Sequence, residues 1–176
     1  MLKVFLIALA LGLGGFLIYV QRQPAQFNIT RSVLIAAPPA KPYALVNDFR
    51  NWKKWSPWEK MDPNIQSRYE GPDSGAGSSY AWVGNSKVGQ GKMTITESRQ
   101  DESIQIRLDF VKPMPATNLS AFSFRPEAGG TRVNWSMNGT NNFLQRAICT
   151  FMNMDKVVGG QFDKGLADLK MLSEKP

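Results

Sequence analysis

Asp155 is the residue of this sequence whose surroundings best suit acid–base chemistry. Towards the C-terminus, apolar residues recur at three- and four-residue steps, which is typical of one face of a helix. The ionisable Asp155 interrupts the series Leu144, Ile148, Phe151, Val158 and Phe162. A carboxylate that faces an apolar cavity has a raised pKa or a dedicated partner, and it can orient a ligand or act as a general base. Alternatively, the helix turns Asp155 to its edge, where it pairs with a lysine, an arginine or the backbone.

Three of the five tryptophans stand within seven residues, in the stretch WKKWSPW over residues 52–58. Trp52 and Trp55 are one helical turn apart, and burial of about 150–250 Å² by each would anchor a small domain. Trp58 follows Pro57 on an expected loop, and it is a candidate gate for a binding site. The cluster is therefore either a packing plug or the wall of a binding site.

The sequence contains no histidine and a single cysteine, Cys149. This composition excludes an intrachain disulfide, a zinc site of Cys and His ligands, and Ser-His-Asp or Cys-His catalysis. The acidic residues, Glu59 among them, give no recognisable carboxylate pair. The glycine-rich stretch over residues 84–91 precedes a strand rather than a helix, so it predicts a hairpin and not a phosphate loop. We expect neither a metal nor a cofactor.

Length and charge indicate one folded domain after an apolar start. The chain has 176 residues, of which 43% are hydrophobic and 20% are charged, and its net charge is +7. The basic residues are scattered along the chain, whereas nucleic-acid-binding proteins usually carry a clustered basic stripe. We therefore expect no nucleic-acid partner, while attraction to anionic lipid head groups is compatible with this pattern.

Residues 4–20 contain no charged residue and lie between Lys3 and Arg22. This length approaches the roughly 20 residues of a membrane-spanning helix and exceeds the core of about 7–15 residues in a signal peptide. We predict a transmembrane anchor or uncleaved signal over residues 1–21 and a linker over residues 22–26, with a cleaved signal as the alternative. The flanking positive charges balance, so the side of the membrane on which the domain lies stays unresolved.

The rest of the chain, residues 27–176, is predicted to form one domain. Alternating polarity predicts a strand over residues 27–35, although Arg31 falls on its apolar side. Two short helices follow, and six strands separated by turn signals then extend to about residue 139. The last segment predicts one long amphipathic helix, in which Gly159 and Gly160 mark either a kink or a close approach. Because one helix must cover a wide sheet, the sheet must curl around it, and a cavity between them is expected.

This order of elements resembles the helix-grip superfamily, also called START-like or SRPBCC, and in particular its polyketide cyclase/dehydrase and lipid-transport branch. The resemblance covers residues 29 to about 173, and four stretches carry it: SVLIAAPPAKPYALVNDFRNWKKWSPWEKMDP, GNSKVGQGKMTITES, LDFVKPM and FMNMDKVVGGQFDKGLADLK. It implies an α+β helix-grip fold, in which a curved antiparallel sheet of six to seven strands wraps around one long C-terminal helix, with two short helices after the first strand. The stretches SPWEKMDP and FMNMDK resemble a bacterial subgroup with an N-terminal hydrophobic segment, which implies a single-pass protein of the bacterial inner membrane.

The resemblance also implies a cavity for lipids, polyketides or other apolar ligands. Strand alternation and the helix face give the predicted lining, to which Trp58 and Asp155 are added. The sheet supplies Tyr80, Trp82, Met93, Leu108, Phe110, Phe122, Trp135 and Met137, and the helix supplies Phe151, Met154, Val158 and Phe162.

Three functions are compatible with this sequence. The first is a membrane-tethered domain that binds a hydrophobic small molecule or lipid without catalysis. The second is an enzyme of the cyclase/dehydrase kind, in which Asp155 and Tyr80 move protons. The third is a module for a protein partner, in which the cavity is collapsed and an exposed apolar patch makes the contact.

Overall fold

The computed structural model describes residues 1–175, which form a helix-grip fold preceded by one separate helix. The chain begins with helix α1, Leu2–Arg22, and continues directly into strand β1, Gln26–Ile35. Among the described residues, α1 alone is long and apolar enough to cross a membrane, and its side chains are almost entirely exposed. A secretory signal sequence has the same properties.

Short helices follow β1 as predicted, and they are more numerous than the two that the sequence indicated. They are α2, Ala40–Asn47; a 3₁₀ turn, Phe49–Asn51; α3, Trp52–Trp55; and α4, Pro57–Met61. Trp58 was expected on a loop, and the structure places it in the first turn of α4. Proline is favoured at the first helical position because its fixed φ suits a helix and its missing N–H is not needed there.

Seven antiparallel strands form a single sheet in the order β1-β7-β6-β5-β4-β3-β2. The six strands after the short helices are β2, Gln66–Glu70; β3, Ser79–Val83; β4, Gln90–Arg99; β5, Ser103–Lys112; β6, Ala116–Glu127; and β7, Gly130–Thr140. Consecutive strands from β2 to β7 are neighbours, and β1 closes the order beside β7. The α+β fold class and the antiparallel meander are therefore confirmed.

The C-terminal segment differs from the prediction of one uninterrupted helix. It is divided into α5, Phe143–Phe151, and α6, Met154–Ser173. The backbone is extended at Met152 and Asn153, and the side chain of Asn153 accepts a hydrogen bond from the Lys156 N–H at 2.9 Å. This cap begins a new helix, because it satisfies one of the N–H groups that the first helical turn leaves free. Gly159 and Gly160 do not interrupt α6.

Aromatic side chains fill the space between the sheet, α3 and α6. The ring of Trp135 on β7 stacks on Phe162 of α6 with a centroid distance of 4.0 Å. Trp52 and Trp55 are buried, and their indole N–H groups donate to the carbonyls of residues 46 and 45. Both indoles therefore act mainly as packing groups, with their polar atoms satisfied. Gly165 permits the close approach of Trp135, because a Cβ atom there would lie only 2.9 Å from its ring.

We predict that α6 contributes its stability through one face. Leu169 is fully buried, so Leu169→Ala should lower the free energy of unfolding by about 2–5 kcal/mol. Met171 lies on the same helix with 59% of its surface exposed, and Met171→Ala should change the free energy of unfolding by less than about 0.5 kcal/mol. Chemical denaturation of the full chain, followed by tryptophan fluorescence, measures both. Equal losses for the two variants would contradict this orientation of α6.

Candidate functional site

A cavity of about 280 Å³ lies between the concave face of the sheet and α6, next to α3 and α4. This volume is close to the lower end of the range of about 300–1,000 Å³ for small-molecule sites. Most of the lining is apolar or aromatic. The residues from the helices and the sheet are Trp52, Trp58, Glu59, Tyr80, Trp82, Met93, Leu108, Phe110, Lys112, Ser120, Trp135, Met137, Val158 and Phe162, and those from the connections are Ser56, Ile65, Ser86, Lys87, Val88 and Pro113.

Ten of the predicted residues line this cavity. They are Trp58, Tyr80, Trp82, Met93, Leu108, Phe110, Trp135, Met137, Val158 and Phe162. Alternation along the strands places these sheet residues on the concave face, because successive side chains of a strand point to opposite sides. Their contact with a ligand stays a prediction.

Four predicted residues lie outside the cavity. Phe122 is buried in the core, where it stacks on Trp135 at a centroid distance of 4.9 Å. Phe151 is 79% exposed at the end of α5, and Met154 and Asp155 lie in the first turn of α6. Phe151 precedes the break at Met152 and Asn153, so it does not continue the face of α6. Met154 and Asp155 do belong to α6, but they occupy its first turn and do not contribute to the cavity lining.

Asp155 is paired with Arg31 at the edge of the domain, as in the second interpretation of this residue. The guanidinium of Arg31 donates to both carboxylate oxygens, at 3.0 and 2.9 Å, and to the carboxylate of Asp163 at 3.3 Å. The hydrogen bonds from Arg31 hold the pKa of Asp155 below its usual range. An exposed carboxylate with a lowered pKa is a poor general base, so this geometry gives no support to a catalytic role, which stays a prediction.

Gly159 makes this ion pair possible. Arg31 extends from the apolar side of β1 across α6, and a Cβ atom at position 159 would collide with its guanidinium group. The unexpected position of Arg31 in the strand pattern and the glycine in the helix therefore have one explanation. Of the two interpretations of the glycine pair, the structure favours the close approach.

Tyr80 and Glu59 form a polar pair in the cavity wall. The Tyr80 hydroxyl donates a hydrogen bond to the Glu59 carboxylate and accepts one from the Ser67 hydroxyl at 3.4 Å. Burial, followed by the hydrogen bond to Glu59, raises the pKa of Tyr80 well above its usual range. Tyr80 therefore stays protonated at neutral pH and serves as a hydrogen-bond donor.

Sequence analysis did not identify Glu59 or the connections around the cavity as site residues. Glu59 lies on α4 and Tyr80 on β3, and the sequence pattern gives no signal that these two elements meet. The cavity mouth, which we define as Ser86, Lys87, Lys112 and Pro113, is formed by the β3–β4 turn and by the end of β5 with the turn that follows it. The prolines, serines and lysines of such turns show no periodicity from which their position could be predicted.

No group of three or more potential metal ligands occurs among residues 1–175. The cavity wall instead offers a tyrosine donor beside a carboxylate, and the cavity mouth offers two lysines above an apolar interior. This arrangement can bind an apolar group and can contact a polar or negatively charged end.

A family model described as "Polyketide cyclase / dehydrase and lipid transport" matches residues 26–174. No curated protein sequence matches the chain. Similar solved structures include protein CV1439 from Chromobacterium violaceum, with 16% identity and a TM-score of 0.58, where the match covers 88% of this chain and 100% of the other.

Two further solved structures have functional names. The Aha1 dimer from Colwellia psychrerythraea has 16% identity and a TM-score of 0.60, with coverage of 84% of this chain and 96% of the other. The di-domain ARO/CYC StfQ from the steffimycin biosynthetic pathway has 10% identity and a TM-score of 0.68, with coverage of 89% and 53%. At these identities the likeness concerns the fold alone.

We predict that Arg31 sets the titration of Asp155. Arg31→Gln should return the pKa of Asp155 to near its usual value of about 3.9, because the favourable hydrogen bonds to the charged form are lost. Because the pKa of Asp155 is lower in the folded chain than in the unfolded chain, the ion pair stabilises the fold fully at a pH above the unfolded-state pKa. This contribution is lost as the pH falls through the pKa of the folded state. NMR of the aspartate carboxyl carbons across an acid titration measures the shift.

Arg132→Gln is the matched control for this titration. Arg132 pairs with Glu127 at 2.7 Å, in the strands next to the β6–β7 turn, so its loss should leave the titration of Asp155 unchanged. An Asp155 carboxyl that titrates identically in the wild type and in Arg31→Gln would show that the ion pair does not form in solution.

Proposed function

Because this chain belongs to the polyketide cyclase/dehydrase and lipid transport family, we propose that it is a membrane-tethered protein that binds a hydrophobic small molecule or lipid in its cavity, without catalysis. The family and the helix-grip fold support a ligand-binding domain. The apolar ligand, the tether and the lack of catalysis are our proposal, and each has a separate argument.

The cavity between the sheet and α6 is the observation that carries this proposal. An interior formed by Trp82, Met93, Leu108, Phe110 and their neighbours favours apolar chains or rings, since burial of apolar surface contributes about 25 cal/mol per Å². Methionines such as Met93 adapt to ligands of different shape. An open cavity also argues against the module with a collapsed cavity.

The tether is supported by helix α1. Its 21 residues would extend about 30 Å, which matches the hydrocarbon thickness of a bilayer. Its apolar side chains are exposed, and only Val20 is buried against the rest of the chain. A surface of this kind is stable in lipid and unfavourable in water.

The proposed lack of catalysis follows from the positions of the acidic groups. Asp155 is held by Arg31 outside the cavity, so it is not available to an apolar ligand. Glu59 is engaged by Tyr80, whose raised pKa keeps its proton in place. A hydrogen-bond donor that stays protonated can orient a carbonyl or hydroxyl of the ligand without a net proton transfer.

We predict that one apolar ligand occupies the cavity. The full chain in detergent micelles, incubated with a mixture of saturated fatty acids, should give a one-to-one adduct in native mass spectrometry. Leu108→Trp should abolish the adduct, because the added ring atoms fill the space beside Leu108. Overpacking of this kind costs about 1–3 kcal/mol, so circular dichroism must show that the variant is folded.

Leu119→Trp is the matched control for the cavity. Leu119 lies on β6, is half exposed and does not line the cavity, so the same substitution there should leave the adduct unchanged. A wild-type chain that binds no fatty acid and carries no apolar molecule on organic extraction would overturn the proposal. Equal adducts in both variants would place the binding elsewhere.

The second candidate function is an enzyme, and the pair of Tyr80 and Glu59 in the cavity wall is the observation that favours it. A donor beside a carboxylate is able to assist cyclisation or dehydration of a polyketide. With a bound polyketide substrate, wild type would release a product lighter by one water molecule, and Tyr80→Phe would retain the unchanged mass. An unchanged mass in both proteins would exclude a dehydration and favour binding alone.

A further inference from the structure

Helix α5 has an apolar face that residues 1–175 leave largely exposed. None of its nine residues is buried, although its polar and apolar side chains are sharply segregated. The exposed apolar side chains are Phe143, Leu144 and Phe151, with Met152 directly after the helix. Such a face is unfavourable in water, and an amphipathic helix of this kind is typical of a membrane interface.

Contacts with α1 indicate what covers this face. The guanidinium of Arg146 donates to the carbonyls of Gln21 and Gln23 at 3.0 and 3.3 Å, and the ring of Phe151 stacks on Phe16 at a centroid distance of 5.8 Å. The helix α5 therefore runs along the last turns of α1. Any lipid that surrounds Phe16 must also contact Phe151.

The position of Phe151 agrees with an interfacial depth. Phe16 precedes the end of α1 at Arg22 by six residues, which is about 9 Å at a rise of about 1.5 Å per residue. Interfacial helices bury their apolar face about 5–10 Å into the boundary between head groups and acyl chains. The apolar face of α5 would thus enter the lipid to this depth when α1 spans the bilayer.

The cavity mouth lies on the same side of the sheet as α1 and α5. This side, called an edge below, is the one at which β1 begins and β7 ends. Strand β1 begins at this edge with Gln26, which pairs with Thr140 at the end of β7, just before α5. Because all neighbouring strands are antiparallel, the end of β5 at Lys112 and the β3–β4 turn with Lys87 lie at this edge too. The β6–β7 turn with Ala128 lies at the opposite edge, about 30 Å away over strands of ten or more residues.

We propose that α5 lies in the interface of the bilayer that receives α1, and that it holds the cavity mouth against anionic lipid head groups. The apolar side chains of α5 enter the lipid, and Lys87 and Lys112 contact the negative surface. The arrangement orients the cavity so that an amphiphile passes between the bilayer and the protein without crossing bulk water. It rests on the membrane tether of the proposed function.

Fluorescence quenching by nitroxide lipids tests this orientation in the full chain. Cys149→Ser removes the one cysteine, and single cysteines are then introduced as Phe151→Cys, Ser86→Cys, Ala128→Cys and Leu13→Cys for an environment-sensitive dye. Each protein is reconstituted into phosphatidylcholine vesicles with and without phosphatidylglycerol. Nitroxides on the head group, near the glycerol backbone and near the chain end report three depths.

We expect the dye at position 151 to lose at least about half of its emission with the nitroxide near the glycerol backbone, at the depth of an interfacial helix. The dye at position 86 should be quenched by the head-group nitroxide, more strongly with phosphatidylglycerol and less at high salt, because exposed charges are screened. Position 128 is the matched control for position 86, because both are small exposed turn residues, and it should not be quenched.

The four positions separate the failure of this inference from the failure of the tether. Quenching at position 13 with none at position 151 would show that α1 is inserted and that α5 stays out of the lipid, which overturns the inference alone. Equal quenching at positions 86 and 128 would overturn the orientation of the cavity mouth. The absence of quenching at position 13 would overturn the membrane tether, and with it this inference and the tethered form of the proposed function. Binding in the cavity is tested separately by the fatty-acid adduct.

Discussion

The fold depends on one constraint, which is that a single antiparallel sheet exposes one apolar face that a single helix must cover. The sheet has seven strands, whereas a helix with its side chains is only about 10 Å wide. The contact between Trp135 and Phe162 fixes where the helix lies, and the small helices with Trp52 and Trp55 fill the space next to it. The remaining space is the cavity. Packing and ligand binding therefore have the same origin in this protein.

Sequence patterns predicted the elements whose periodicity is undisturbed. Alternating polarity gave the strands, and because it also assigns the face of each side chain, it placed Tyr80, Leu108 and Met137 at the cavity. The same logic failed for the C-terminal segment, where Asn153 caps a new helix. A hydrophobic period continues across such a break, since a cap is a local hydrogen bond that leaves the spacing of apolar residues unchanged. The position of Phe151 follows from this break, whereas Asp155, in the first turn of α6, is held by Arg31.

The polar part of the site was beyond sequence reasoning because it joins distant segments. Glu59 and Tyr80 come from a short helix and a strand, and only the tertiary structure brings their oxygens together. Arg31 is the opposite case. Its charge on the apolar side of β1 was visible as an irregularity, and the structure resolves it through two aspartates and a glycine. An irregular residue in a clean pattern thus indicated an interaction without identifying the partner.

The break between α5 and α6 also makes the two helices independent of each other in their backbone hydrogen bonds. Each helix has its own asparagine cap, Asn142 for α5 and Asn153 for α6, so the first turn of each helix is satisfied locally. Loss of structure in α5 would stop at Asn153, because α6 does not draw its first hydrogen bonds from the preceding turn. The wall of the cavity that α6 forms can therefore stay ordered when the contacts of α5 change.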